Sequence, residues 1–141
     1  MGIYLDTSVL VSVYVREKHS KKILDLLEKN KEPIYISRLV EAEFYSALVL
    51  KKRTQALSQE NFKKISDFFQ KHITESFYNC LHLTDDTFSH AIELLQSGKT
   101  GLRTLDALHL ACSTITDCVL ITADKILNQA AKTHHITTQL I

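Results

Sequence analysis

The stretch that most constrains this chain is its opening, GIYLDTSVLVSVYV, residues 2–15. A short apolar run, Ile3-Tyr4-Leu5, is cut off by Asp6-Thr7-Ser8, and a second apolar run follows with helical rather than alternating spacing. That pattern predicts a buried strand, a turn carrying a carboxylate, and a helix capped by Thr7 or Ser8. A polypeptide that begins strand–turn–helix, with an acid at the strand's carboxyl end, places that acid where open α/β sheets hold their ligands. If further acids reach the same point, the chain carries a metal site.

The remaining segments continue the alternation. His19 to Asn30 has a stripe of Ile23, Leu24 and Leu27 opposite a lysine-rich face, which predicts a helix. Pro33 introduces a strand over Ile34-Tyr35-Ile36. Ser37 is placed to cap a helix from Arg38 to about Arg53, and Ser58 a second one with Phe62, Ile65, Phe69 and Ile73 at helical spacing. Because no strand separates these two helices, a helical hairpin projecting from the sheet is expected, joined by Thr54 to Leu57. A third strand is read over Cys80 to Leu83. Thr84 or Asp85 then caps a helix stopped by Gly98. Leu102 to Ile115 reads as a nearly apolar, buried helix, and Cys118 to Thr122 as a β-branched strand central to a parallel sheet. Asp124 is placed to cap a last helix, and Ile136-Thr137-Thr138 to form an edge strand. Strands alternating with helices define an α/β fold, a three-layer α/β/α sandwich around a central parallel sheet. The length, 141 residues, fits a single domain over 1–141.

Only 3 Gly and 1 Pro occur, too few for an all-β fold built on tight turns. A net charge of +1 demands no nucleic-acid partner by itself; such a partner needs a local basic patch. Cys80, Cys112 and Cys118 are odd in number and lack CxxC spacing, which reads as free thiols in a reducing compartment and not as a zinc site. No apolar run approaches a membrane span, and Asp6 interrupts the only N-terminal apolar stretch, so neither a signal peptide nor a membrane anchor is expected. A myristoylation signal would want Ser or Thr at the sixth position, where Asp6 stands. A cytoplasmic protein is expected.

Four carboxylates stand out by their surroundings. Asp6 ends the first strand, and Asp124 follows the fourth in Thr122-Ala123-Asp124. On a helical projection Glu43 shares the face of Val40, Ala47 and Leu50, while Glu41 falls at the edge of that arc. Asp106 lies on the face of Leu102, His109, Leu110 and Ser113, in the first helical turn. Each has an ordinary reading: Asp6 and Asp124 as N-caps, Glu43 or Asp106 paired with Arg38 or Arg103. A parallel sheet can nevertheless bring all four to one cleft. Clustered carboxylates raise one another's pKa unless cations neutralise them, and an oxygen-only set suits Mg²⁺ or Mn²⁺. That chemistry activates water and stabilises charge on phosphoryl oxygens.

Four segments in order, Ile3 to Ser8, Ser37 to Glu43, Leu102 to Ala111 and Leu120 to Asp124, make the chain resemble a PIN-domain ribonuclease over essentially its whole length. Among these it is most similar to VapC-type toxins of toxin–antitoxin pairs. The resemblance implies a PIN-like parallel sheet between helices, with Asp6, Glu43, Asp106 and Asp124 as catalytic and metal-holding acids. It implies endonucleolytic hydrolysis of RNA dependent on Mg²⁺ or Mn²⁺. Thr7, Ser8 and Thr122 match hydroxyl positions that orient ligands or water. Arg103, one turn before Asp106, either contacts an RNA phosphate or pairs with an acid of the site. A homodimer is implied, as is a cognate antitoxin whose tail docks in the acidic cleft with an Arg at the metal position.

This chain departs from the family pattern in two places. His134-His135 stands where members often carry a glycine, and Lys125-Ile126 stands where some carry a further acid. His109 reads chiefly as a histidine fixed by hydrogen bonding within a buried helix, and Lys51-Lys52-Arg53 as a solvated face with an electrostatic role toward RNA. Other readings are weaker. A haloacid-dehalogenase-type phosphatase wants an acid two residues after Asp6, where Ser8 stands. A receiver-type signalling domain wants an acceptor Asp ending the third strand, where Thr84-Asp85-Asp86 reads as a helix cap. A PIN-fold binding domain without catalysis, or a PIN nuclease that is not a toxin, is the remaining alternative.

Overall fold

The computed structural model describes all residues, 1–141. Its order is β1 (Ile3–Leu5), α1 (Thr7–Tyr14), α2 (Ser20–Lys29), β2 (Ile34–Ser37), α3 (Arg38–Arg53), α4 (Gln59–Thr74), β3 (Asn79–Leu81), α5 (Asp85–Gln96), α6 (Thr104–Ile115), β4 (Val119–Thr122), α7 (Lys125–Thr133) and β5 (Thr138–Leu140). The strands form one parallel sheet in the order β3-β2-β1-β4-β5, flanked by the helices as a three-layer sandwich. The centre is β1, all three of whose residues are buried, with β4 as its interior neighbour. Continuous apolar runs fit strands covered on both faces. Register pairs Tyr4 with Tyr35 on one side and with Leu120 on the other. From β1 the chain first adds strands on the β2 side and then crosses to β4, so the topological switch point lies between β1 and β4.

Gly2 is needed at the entrance to β1. A Cβ there would lie 3.0 Å from the Pro33 carbonyl and 3.1 Å from Cys118 Sγ, while the Gly2 carbonyl accepts Val119 N–H at 2.9 Å. The lower core is aromatic: Phe44 and Phe69 are fully buried with centroids 4.5 Å apart, and Tyr14 packs edge-on to both. The three cysteines are free.

Several expectations are corrected. Asp6 itself, not Thr7 or Ser8, caps α1: its carboxylate accepts Val9 N–H at 3.0 Å. The α3–α4 pair is a hairpin, yet it does not stand clear of the body, because Phe69 of α4 is buried against Phe44 and Tyr14. The buried stripe of α3 is Val40-Phe44-Leu48, and Leu50 is exposed. The third strand begins and ends earlier than expected, at Asn79–Leu81. Helix α6 starts at Thr104, after Arg103. The edge strand starts at Thr138, since Ile136 is used by the end of α7. There Ile136 N–H donates to the Ala131 carbonyl and His135 N–H to that of Lys132, a Schellman closure with His135 left-handed at φ 58°. His135 thus occupies the conformation for which glycine is favoured. Lys51 pairs with Glu17 at 2.6 Å, and Lys52 lies over the Phe62 ring, so this basic segment is partly packed. No helix is long and apolar enough to cross a membrane.

Candidate active site

The site lies at the carboxyl ends of β1 and β4. Asp6 leaves β1 and is almost wholly buried, at 3% exposure. Its Oδ1 accepts the Ser8 hydroxyl at 2.7 Å and Val9 N–H at 3.0 Å, and its Oδ2 accepts the Thr122 hydroxyl. Burial pushes the Asp6 carboxyl above its ordinary value; the bonds from Thr122, Ser8 and Val9 and the field of His109 oppose that rise without cancelling it.

The two strand-to-helix turns are laced together by hydroxyls. Thr122 Oγ1, while donating to Asp6, accepts Asp124 N–H at 2.9 Å. Ser8 Oγ, while donating to the other Asp6 oxygen, accepts Ala123 N–H at 3.2 Å. Asp124 caps α7, Oδ1 accepting from Ile126 and Leu127 N–H at 2.8 and 3.1 Å.

Glu43 enters from α3. Its Oε1 accepts the Thr7 hydroxyl at 2.7 Å and lies 2.7 Å from His109 Nε2. Partial burial would raise this carboxyl, but the hydrogen bond and field of His109, with the Thr7 bond, outweigh it and hold Glu43 below the usual range. His109 is 5% exposed, and its Nδ1 lies 3.1 Å from the Tyr4 hydroxyl, itself 2.9 Å from Ser37 Oγ. Burial, first of all, raises the Tyr4 hydroxyl well above the ordinary phenol range, so it serves as a neutral hydrogen-bonding group.

Asp106 stands one turn before His109 in α6, where its Oδ2 accepts Arg103 N–H at 3.4 Å. It lines a cleft of about 290 Å³ with Leu102, Lys125, Ile126, Leu127 and Ala130. Asp6 is joined to the Asp124 turn through Thr122, and Glu43 is tied to Thr7 and His109, whereas Asp106 makes no hydrogen bond to this network. No three of the carboxylate, imidazole or thiol groups close on a common point at metal-binding distance. Glu43 Oε2, Asp106 Oδ1 and Asp124 Oδ2 accept no hydrogen bond.

A family model described as the PIN domain matches residues 3–133. The chain belongs to the PIN domain family. No curated protein matches its sequence significantly. Solved structures share the PIN fold at low identity. A chain of VapBC2 from Rickettsia felis, bound to a DNA fragment from their promoter, superposes with a TM-score of 0.70 at 18% identity, covering 100% of this chain and 99% of that one. FitAcB from Neisseria gonorrhoeae gives 0.72 at 14%, covering 96% and 95%. Mycobacterium tuberculosis VapC20, a sarcin-ricin loop cleaving toxin, gives 0.67 at 16%, covering 91% and 94%.

Within this PIN domain, Thr7, Ser8 and Thr122 each donate to an acid. Arg103 is exposed and forms no ion pair, so its pairing with an acid is not seen. Glu41, at the edge of the projected arc, pairs with Arg38 at 2.6 Å, and its side chain is 16% exposed against 27% for Glu43. The hydrophobic projection of α3 missed this because it ignores salt bridges. Sequence reasoning read Ser37 only as a cap and passed over the Tyr4 hydroxyl that it meets. The available signal was a phenol inside a strand buried on both faces, whose hydroxyl requires a partner.

Proposed function

We propose that this chain, read over 1–141 as one PIN domain, is a divalent-metal-dependent endoribonuclease that hydrolyses RNA phosphodiester bonds, acting as the toxin of a toxin–antitoxin pair. The observation that carries this reading is the Thr122 hydroxyl joining Asp6 to the Asp124 turn at the β1–β4 switch point, with Glu43 directed there from α3. Family membership and the VapC toxin among the structural neighbours support it.

The donor set fits Mg²⁺ or Mn²⁺ in kind. It offers carboxylate and hydroxyl oxygens, without a thiolate, and three acids each keep one oxygen free of hydrogen bonds. Asp6, Glu43, Asp106 and Asp124 are assigned to hold the ion. When bound, it supplies charge stabilisation on the phosphate and acidification of an attacking water. Thr122 and Ser8 fix the Asp6 carboxylate, and Thr7 fixes Glu43. Arg103, exposed and unpaired beside the cleft, is assigned to an RNA phosphate.

A cognate antitoxin is the proposed protein partner, supported by a toxin–antitoxin complex from Klebsiella pneumoniae among the structural neighbours, and a homodimer the proposed assembly. Three free thiols suit the reducing cytoplasm proposed as its location. The test is cleavage of a mixed cellular RNA pool with Mg²⁺ or Mn²⁺, beside Asp6→Asn, Asp106→Asn and an EDTA control. Discrete fragments lost in both variants and in EDTA are expected. No cleavage together with no metal binding by calorimetry would instead establish a binding-only PIN domain.

A further inference from the structure

Glu43 is held by a chain of hydrogen bonds that runs back through His109 and Tyr4 to Ser37. His109 sits in the fully buried stretch of α6 between Ala107 and Ser113, and both of its ring nitrogens have partners. An ionised carboxylate only accepts, so the nitrogen facing Glu43 Oε1 at 2.7 Å, Nε2, carries the hydrogen. In the neutral ring Nδ1 then accepts, and the Tyr4 hydroxyl at 3.1 Å donates to it. Tyr4 oxygen accepts in turn from Ser37, whose Oγ takes Val40 N–H at 3.1 Å. Every hydroxyl donates once, and the direction runs without conflict from Ser37 to Glu43.

We propose that His109, fixed in its Nε2–H form by Tyr4 and Ser37, is the positioning residue that holds the Glu43 carboxylate. Thr7 alone would tether a side chain whose terminal torsion is broad. With donors from α1 and α6 both ending on Oε1, the carboxylate is clamped and Oε2 is presented free. The same ring ties α3 to α6, the helix carrying Asp106, so it also sets the register between two of the acids. Its consequence for metal and RNA rests on the nuclease reading; the clamp itself does not.

The test has two arms. Long-range ¹H–¹⁵N spectra of the metal-free protein at alkaline pH read the tautomer. The Nε2–H form is expected in the wild-type chain and averaging of the two forms in Tyr4→Phe, with the fold of that variant confirmed by its thermal melt. An Nδ1–H ring, averaging already present in the wild-type chain, or a spectrum unchanged by Tyr4→Phe would overturn the proposal. Calorimetric Mn²⁺ titration and RNA cleavage form the second arm. His109→Leu is expected to weaken Mn²⁺ binding about tenfold or more, as loss of an orienting partner does, and His109→Gln, which keeps an N–H, to recover most of it. Equal losses in both would reduce His109 to packing and overturn the proposal. A wild-type chain with the fixed tautomer but neither Mn²⁺ binding nor cleavage would remove the nuclease reading and leave the clamp standing.

Discussion

Thr122 donates its hydroxyl to Asp6, 116 residues away in sequence, and through the same oxygen accepts the Asp124 backbone N–H. One hydroxyl therefore couples the turns after β1 and β4. Replacing it with the near-isosteric Val leaves a buried carboxylate oxygen and a backbone N–H without that partner. Thr122→Val is expected to lose about 1–3 kcal/mol of unfolding free energy, with Thr122→Ser losing much less, measured by urea titration.

Asp6 and Glu43 are perturbed in opposite directions, which gives their pH dependences opposite signs. For Asp6, raised by burial, the folded state binds more protons than the unfolded state between the two pKa values. Its contribution to stability therefore falls as pH rises through that interval. Asp6→Asn preserves an N-capping oxygen and is expected to be at least as stable as the parent at pH 7, the difference closing in acid. For Glu43 the folded pKa is depressed. Its contribution is present above the ordinary carboxylate value and lost as pH falls through the folded one, so Glu43→Gln is expected to destabilise at pH 7 and not at the acid end. Denaturant midpoints across pH 3–8 check both.

His135 holds φ 58° at the Schellman closure of α7. A left-handed backbone costs a non-glycine residue about 1–2 kcal/mol, partly offset by the chain entropy glycine adds to the unfolded state. His135→Gly is expected to raise the melting temperature without altering the β4–β5 pairing, observed by calorimetry and amide exchange.

Phe69 decides whether α4 is an arm or part of the core. As a fully buried ring against Phe44 and Tyr14, its truncation to Ala is expected to cost about 3–5 kcal/mol and to lower the single unfolding transition of the whole chain. A projecting arm would melt separately and leave that transition in place.

The opening stretch was legible because its information is local. Three apolar residues and Asp6 define a buried strand and its end, and the helical spacing after Asp6 defines α1. The caps at Ser37, Ser58 and Asp124 were read correctly for the same reason, since each bonds to an N–H two or three residues away. Expectations failed where a local signal competed with a distant one. Ile136 looks like the start of a strand, but its N–H closes the preceding helix. Leu50 looks like core, but the face that meets the body runs through Phe44 and Leu48.

The sequence by itself determined the alternation of strands and helices and the parallel sheet, and it singled out four acids as candidates. Periodicity, caps and polar residues beside apolar runs are properties of near neighbours in the chain. Only the tertiary structure decided what each acid touches. Asp6 meets Thr122 because β1 and β4 pair in parallel register, and Glu43 meets His109 because the fold brings one side chain of α3 and one of α6 within hydrogen-bond distance. Those contacts span 116 and 66 residues of sequence, and no local pattern records a partner that far away. The Tyr4 hydroxyl shows the difference most plainly: within Ile3-Tyr4-Leu5 it is one more buried ring, and in the folded chain it joins Ser37 to the histidine that holds Glu43.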